Sequence, residues 1–415
     1  MKLSLLKQKD FSLLVTSKLI SLIGNVMQEF ALSLYVLKIT GSATKFASVL
    51  AISILPQLFL GSVCGVLTDW FDNKKIIIYL DLLNGLIIGL FYYIYMTNNK
   101  FSITQIYILV ILLSFILSLY SPTINAIIPS IVSQKELIYA NSINSLFLNL
   151  GNFVAPLIAS FLFGLYGLNI VLLINAVSFI ICGTMEVFIN IPKISNKSKN
   201  INSKAFFDNF SEGIKFLKNS KLILAIIKLA MVVNFAYTPI MTVGVTYISK
   251  EILKVSDYKY ALLQSTQIVS MFIAPIIAMV VVKKIDIKRV LLWDISINSI
   301  LFIIMSIIPS PLFLKVCLNN LIPYILLIIN MFFISSITTV ENIVLTTVFQ
   351  REVPIEFIGR VGSVLNTGTM IAIPIGQIFF GLLFDVIQGG ICILISGLIL
   401  SFGIIILKNS LLTSN

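Results

Sequence analysis

Twelve stretches of this chain are each long and apolar enough to cross a lipid bilayer, and that constrains its fold more than anything else in it. They run near 11–38, 43–66, 76–97, 102–126, 141–166 and 168–190, then near 221–249, 258–283, 288–309, 318–347, 358–386 and 389–408. A spanning helix needs about 20 apolar residues to cover the hydrocarbon layer. Inside that layer every backbone N–H and C=O must find its partner within the protein, which leaves helices or closed barrels. Runs of this length give helices. With 58% hydrophobic residues, 11% charged and a mean hydropathy of +1.04, the chain carries more apolar surface than a water-soluble core can use. The first run follows Lys2, Lys7 and Lys9 without a small-residue cleavage site, so it is expected to be a retained helix.

A net charge of +12 could signal nucleic acid, but the placement of the charge argues for orientation. A cytoplasmic N-terminus puts most Lys and Arg on cytoplasmic segments, with Lys18 and Lys228 inside helices. That bias places both termini of an even-numbered bundle in the cytoplasm of a multi-pass plasma-membrane protein. Cys64, Cys182, Cys317 and Cys392 lie in apolar runs without paired spacing and read as small hydrophobes. There is no His, so a histidine metal site or proton relay is excluded, and no cofactor is implied. The expected partners are the bilayer, protons and a small amphipathic solute, with no nucleic acid, for a chain that reads as a monomer.

One long polar insertion, 191–220, divides the chain into a six-helix bundle over 1–190 and a second over 221–415. Within it, Phe206, Phe210, Ile214 and Leu217 recur at helical spacing, which fits an amphipathic helix on the cytoplasmic surface or a solvated linker. The halves echo each other. Gly, Pro and Gly recur along helix 5 (149–164) and helix 11 (368–381), and loop 283–289 is a worn copy of the loop after helix 2. Internal repeats of this kind are a transporter architecture.

Residues 61–75 read G-S-V-C-G-V-L-T-D-W-F-D-N-K-K, a charged hairpin between two apolar runs. This resembles the loop 2–3 signature of the major facilitator superfamily. Gly65, Leu67, Asp69, Lys74 and Lys75 fall on the pattern, while Trp70 and Asn73 replace its usual arginines. Asp72 stands at the second glycine, as in the macrolide-efflux branch. Helix 1, S-L-I-G-N-V-M-Q-E-F-A-L-S-L-Y-V-L-K-I-T-G-S-A (21–43), is similar to the first helix of the macrolide-efflux and enterobactin-exporter branch, with Asn25 where an Asp is common. The resemblance implies an all-α integral membrane fold of twelve transmembrane helices in two pseudo-symmetric six-helix bundles. It also implies that Asp69 meets the start of helix 11 near Gly359 and Arg360 when the cytoplasmic side closes, forming a gate with Gly65, Asp72, Lys74 and Lys75.

Glu29 lies one turn beyond Asn25 on the same face. A carboxylate at membrane depth costs about 2.5–3.5 kcal/mol on insertion scales and should face a cavity or a partner, which suits a proton carrier or a cation binder. Glu341, about 13 Å from Gln350 at 1.5 Å per residue, is the corresponding candidate in helix 10, either for substrate contact or as a local structural pair. Asp81 and Asp294 occupy matching places in helices 3 and 9 and are expected to pair with loop lysines or a helix end. Glu186 is expected to be solvated at the cytoplasmic edge. Polar stripes complete the candidates: Asn141, Ser145, Asn149 and Asn152 on helix 5; Asn234, Tyr237, Thr238 and Met241 on helix 7; Gly362, Asn366, Thr369 and Gln377 on helix 11. Such stripes either glue helices together or line a wet cavity.

The resemblance implies a secondary efflux transporter for an amphipathic, macrolide-like molecule driven by proton antiport. The alternatives are export of an endogenous siderophore or peptide and, from another class, a non-transporting membrane receptor. The chain has no phosphate loop, no nucleophile–base pair and no metal cluster, so an enzyme or direct ATP drive is not expected.

Overall fold

The computed structural model describes residues 3–70, 72–133, 136–191, 215, 220–284, 287–317, 319–353 and 355–412. Among these the secondary structure is helical, without strands. The long helices are α1 (Lys9–Thr40), α2 (Ala43–Trp70), α3 (Asn73–Asn98), α4 (Ile103–Ile131), α5 (Leu137–Tyr166) and α6 (Leu168–Val187). They continue with α7 (Lys221–Pro239 and its π-helical extension), α8 (Asp257–Lys284), α9 (Ile287–Ile307), α10 (Leu321–Glu352), α11 (Ile355–Val386) and α12 (Gly389–Leu412). Ten described helices satisfy both length and apolarity for a membrane span, and α2 adds a shorter apolar stretch, Ala43–Leu58. The expected amphipathic helix in the 191–220 insertion lies outside the described residues, apart from Lys215.

Helix boundaries follow local chemistry. Ser102 and Gln105 form a reciprocal capping box at the start of α4. The Asp72 carboxylate accepts the Lys74 N–H at 3.1 Å and caps α3. The tight turn between α1 and α2 uses Gly41 at φ +62°, a conformation that costs a glycine little.

Two compact units emerge from the packing. The first comprises Met1–Tyr35 and Ile52–Phe206, the second Val36–Ala51 and Phe207–Asn415, so the tip of the first hairpin is grouped with the C-terminal helices. In the first unit α3 packs most extensively on α6 and then on α4. In the second, α9 packs likewise on α12 and α10, while α7 packs on α11. The first core gathers Leu5, Phe11, Leu14, Ile77, Ile124 and Ile189. The second gathers Ile226, Leu229, Leu291, Ile295 and Val344.

The seventh run differs from the single regular helix expected over 221–249. After Lys221–Pro239 the chain widens into π-helical turns at Ile240–Gly244 and Ile248–Ile252. Pro239 has no N–H to give the preceding turn, which relaxes the helix there. The hydroxyls of Thr242 and Thr246 also bond back to Thr238 and Thr242. The neighbouring Phe235 carbonyl faces Gly376 of α11, where a Cβ would come within 2.3 Å of it. A glycine in α11 therefore permits close backbone approach beside a proline in α7.

Candidate translocation site

In the first unit, α1, α2 and α4 enclose a small cavity around Glu29. Asn25, Gln28, Glu29 and Leu32 line it from α1, Ser53 and Gln57 from α2, and Val110, Leu113, Ser114 and Leu117 from α4. Its volume is about 40 Å³. Since one water needs about 10–15 Å³ of such space, the cavity has room for a few waters but not for a drug-sized ligand.

The Ser53 hydroxyl donates to the Glu29 carboxylate at 2.5 Å, and the Ser114 hydroxyl bonds the Ser53 carbonyl, tying the three helices at this level. Gln28, one residue before Glu29, accepts from the Asn175 amide of α6 at 2.6 Å. That contact needs α1 and α6 close together, and Gly24 provides the space: a Cβ there would lie 2.0 Å from the Asn175 Oδ1. Asn25 and Glu29 thus share the cavity as the sequence suggests. Gln28, Ser53, Gln57 and Ser114 were not singled out from the sequence. Ser53 and Gln57, spaced four apart in an apolar run, were the available signal.

Nearer the start of α1 the first unit buries a second polar cluster, and here three expectations are corrected. Glu186 is 0% exposed rather than solvated, and it accepts from the Tyr120 hydroxyl at 3.1 Å and the Ser17 hydroxyl at 3.3 Å. The reason is the N-terminal turn: Leu5 and Ile189 join one core, and Asp10 accepts the Asn190 N–H at 2.9 Å. Asp81 is also fully buried and takes the Ser21 hydroxyl at 3.1 Å, with no ion pair to a loop lysine among the described residues. The third correction is its counterpart Asp294 on α9, which is 8% exposed and makes no ion pair among the described residues. Lys18 is turned to α5, donating to Asn144 at 2.9 Å.

In the second unit, Glu341 of α10 is 3% exposed and meets the Asn298 amide of α9 at 3.5 Å. The same amide reaches Thr338 at 3.1 Å. Asp294, one turn before Asn298, acts electrostatically on Glu341, and the half-buried Tyr237 ring stacks on Phe302 with centroids 5.7 Å apart. Tyr237 and Glu341 both meet α9, Tyr237 at Phe302 and Glu341 one turn earlier at Asn298. Asn234 instead bonds its own helix at Ala230, and Asn152 and Asn366 are exposed on α5 and α11. The side chains of Asn149, Asp69 and Arg360 and the surroundings of Gly65 are not described. Of the other residues expected at the gate, Asp72 caps α3, Lys74 donates to the Val187 carbonyl at 2.8 Å, and Lys75 is exposed.

A bundle of long apolar helices with carboxylates buried between them defines a polytopic membrane transporter fold. Solved structures agree at the level of fold. The peptide transporter POT in complex with alafosfalin matches with a TM-score of 0.71 at 14% identity, covering 97% of this chain and 94% of its own. A bacterial homologue of the iron transporter ferroportin in its inward-facing state matches with a TM-score of 0.70 at 15% identity, covering 99% of this chain and 100% of its own. The Major Facilitator Superfamily model matches residues 14–377, and the chain belongs to that superfamily.

Macrolide efflux protein A of Streptococcus pyogenes is 25% identical over 226 residues, 53% of this chain and 54% of that protein. The Enterococcus faecalis protein of the same name is 25% identical over 47% of this chain and 60% of its own. The chain thus spans about half the length of these curated relatives. The uncharacterised transporter YvqJ of Bacillus subtilis is 20% identical over 94% of this chain and 90% of its own.

Proposed function

We propose that this chain exports an amphipathic, macrolide-like compound across the plasma membrane in exchange for protons, working by alternating access as a monomer with both termini in the cytoplasm. The observation that carries the reading is the Glu29 carboxylate, set at membrane depth against a cavity sized for a few waters. A carboxylate there is costly unless it has a function or a partner. Its described partner is the neutral hydroxyl of Ser53 rather than a cation. A hydroxyl donor holds the ionised acid in place without fixing its charge, and the waters give protons a path on and off. Glu29 is the proton site in this reading and Asn25 its neighbour in the wet cavity.

The drug-sized ligand is bound elsewhere, because pockets for such ligands run to about 300–1,000 Å³. Tyr237 is the described candidate for substrate contact in the second unit, with Glu341 taken as a local structural pair with Asn298 and with Asn149, Asn152, Asn234 and Asn366 as further candidates by sequence. The Asp69 loop and Arg360 form the cytoplasmic gate in this account. The chain performs no covalent chemistry on its cargo. The likeness to macrolide efflux protein A supports the substrate class.

The reading is tested by macrolide accumulation in a pump-deficient host. Expression of the wild type should lower accumulation, a protonophore should abolish that effect, and Glu29→Gln should remove it. Unchanged protonophore-sensitive export by Glu29→Gln would remove Glu29 from the role.

A further inference from the structure

α10 carries a ridge of two half-exposed side chains, Ile329 and Phe333, with an apolar groove on each side of it. The groove toward α8 has a volume of about 500 Å³ and runs along Leu262, Thr266 and Val269. The groove toward α9 has a volume of about 360 Å³ and runs past Ile304 and Leu326 to Phe313 of the short helix Pro311–Val316. The two grooves share the ridge as a common wall, so they lie one row of side chains apart. All these residues belong to the second unit.

Polar groups in the grooves are already answered within the protein. Ser265 and Thr266 turn their hydroxyls to their own helix, at the carbonyls of Ala261 and Leu263. Asn330, on the α9 side, donates to the Leu301 carbonyl at 3.2 Å. An open apolar channel of this kind disfavours polar ligands, whose groups would go without partners, and suits a hydrocarbon chain. Its length fits as well. Phe333 follows the start of α10 at Leu321 by 12 residues, and Val269 follows the start of α8 at Asp257 by the same number. At 1.5 Å per residue that is about 18 Å, against about 15 Å for half of the hydrocarbon layer.

Each groove also has a cation at its mouth. Lys259 heads the α8 stripe, on the same face as Leu262 and Thr266, and its ammonium lies 5.8 Å from the centre of the Tyr324 ring of α10. The Tyr324 hydroxyl donates to the Lys259 carbonyl at 2.8 Å, which ties the two helices at this level. Lys315 stands two residues beyond Phe313. Both lysines are exposed and neither pairs with an acid among the described residues, whereas Lys250 is held by Asp257 at 2.6 Å. What separates this face from a general lipid contact is the pairing of two channels with two cations.

We propose that α10 seats one anionic two-chain phospholipid, with an acyl chain in each groove and its head group held by Lys259 and Lys315. In the orientation proposed above this is a lipid of the outer leaflet, but the binding depends neither on that orientation nor on the transport reading.

The test uses purified full-length protein in detergent, with dioleoyl phosphatidylglycerol as the probe and bound lipid counted by native mass spectrometry. Two lysines near an anionic head should favour phosphatidylglycerol over dioleoyl phosphatidylcholine about thirtyfold. Lys259→Ala with Lys315→Ala should lose that preference. Lys45→Ala with Lys100→Ala, the same change of net charge at exposed positions elsewhere, should keep it. Val269→Phe with Ile304→Phe fills both grooves at half-exposed positions and should weaken both lipids about tenfold. Equal preference in the two double lysine variants would overturn the site. One-chain lysophosphatidylglycerol binding as tightly as the two-chain lipid would overturn the straddling arrangement.

Discussion

Glu29 and Glu341 are both carboxylates at membrane depth, yet their surroundings differ in kind. Glu29 opens on a small cavity shared with Asn25 and Gln57 and is held by the hydroxyl of Ser53. Glu341 is 3% exposed and is closed in between α9 and α10 by Asn298, with Asp294 near enough to act on it and Thr338 on the same amide. An acid facing a wet cavity can exchange a proton on each cycle. One packed among amides and a second acid is better suited to fixing helices, because a buried polar group keeps its place only while its hydrogen bonds are made. The Asp81 and Glu186 cluster follows the Glu341 pattern, with both acids fully buried and answered by hydroxyls from α1 and α4. On the proposed reading, depth alone does not mark a transport residue; depth beside a cavity with room for water does.

That contrast can be broken by experiment. The largest expected effect is Glu29→Gln, which should reduce proton-driven export at least about tenfold, the change that follows from about 1.4 kcal/mol. Glu341→Gln should stay within about twofold, because an amide can still meet Asn298; equal losses in both would end the distinction. Ser53→Ala comes next. It removes a hydrogen bond to a charged group, worth about 1.5–3 kcal/mol, and should lower export about tenfold without lowering the melting temperature much. Gly24→Ala should act on stability instead. Its Cβ would collide with Asn175, and overpacking of this sort costs about 1–3 kcal/mol, read as a fall in Tm. Asn298→Ala should likewise act on stability, by about 1–3 kcal/mol, because it strips Glu341 of its described donor, with export per folded molecule kept.

The fold was legible in the sequence because length and apolarity leave a membrane chain few choices. The irregular part of helix 7 was not legible. Pro239 and the threonines were visible, but their effect depends on the approach of α11 at Gly376. Glu29 stood out as an acid in an apolar run, whereas Ser53 did not, since a hydroxyl in such a run commonly bonds back to its own helix, as Thr40 does to Val36. Glu186 was misplaced for a different reason. Its distance from the end of an apolar run suggests solvent, and the turn Leu3–Lys7 that folds over that end is invisible to hydropathy.

Proton release on substrate binding tests the central claim most directly, measured on purified protein in weakly buffered solution with erythromycin as the probe. The account predicts that wild type releases protons as the macrolide binds, while Glu29→Gln still binds it and releases none. Equal release from both proteins would show that the exchanged proton sits elsewhere and would contradict the account.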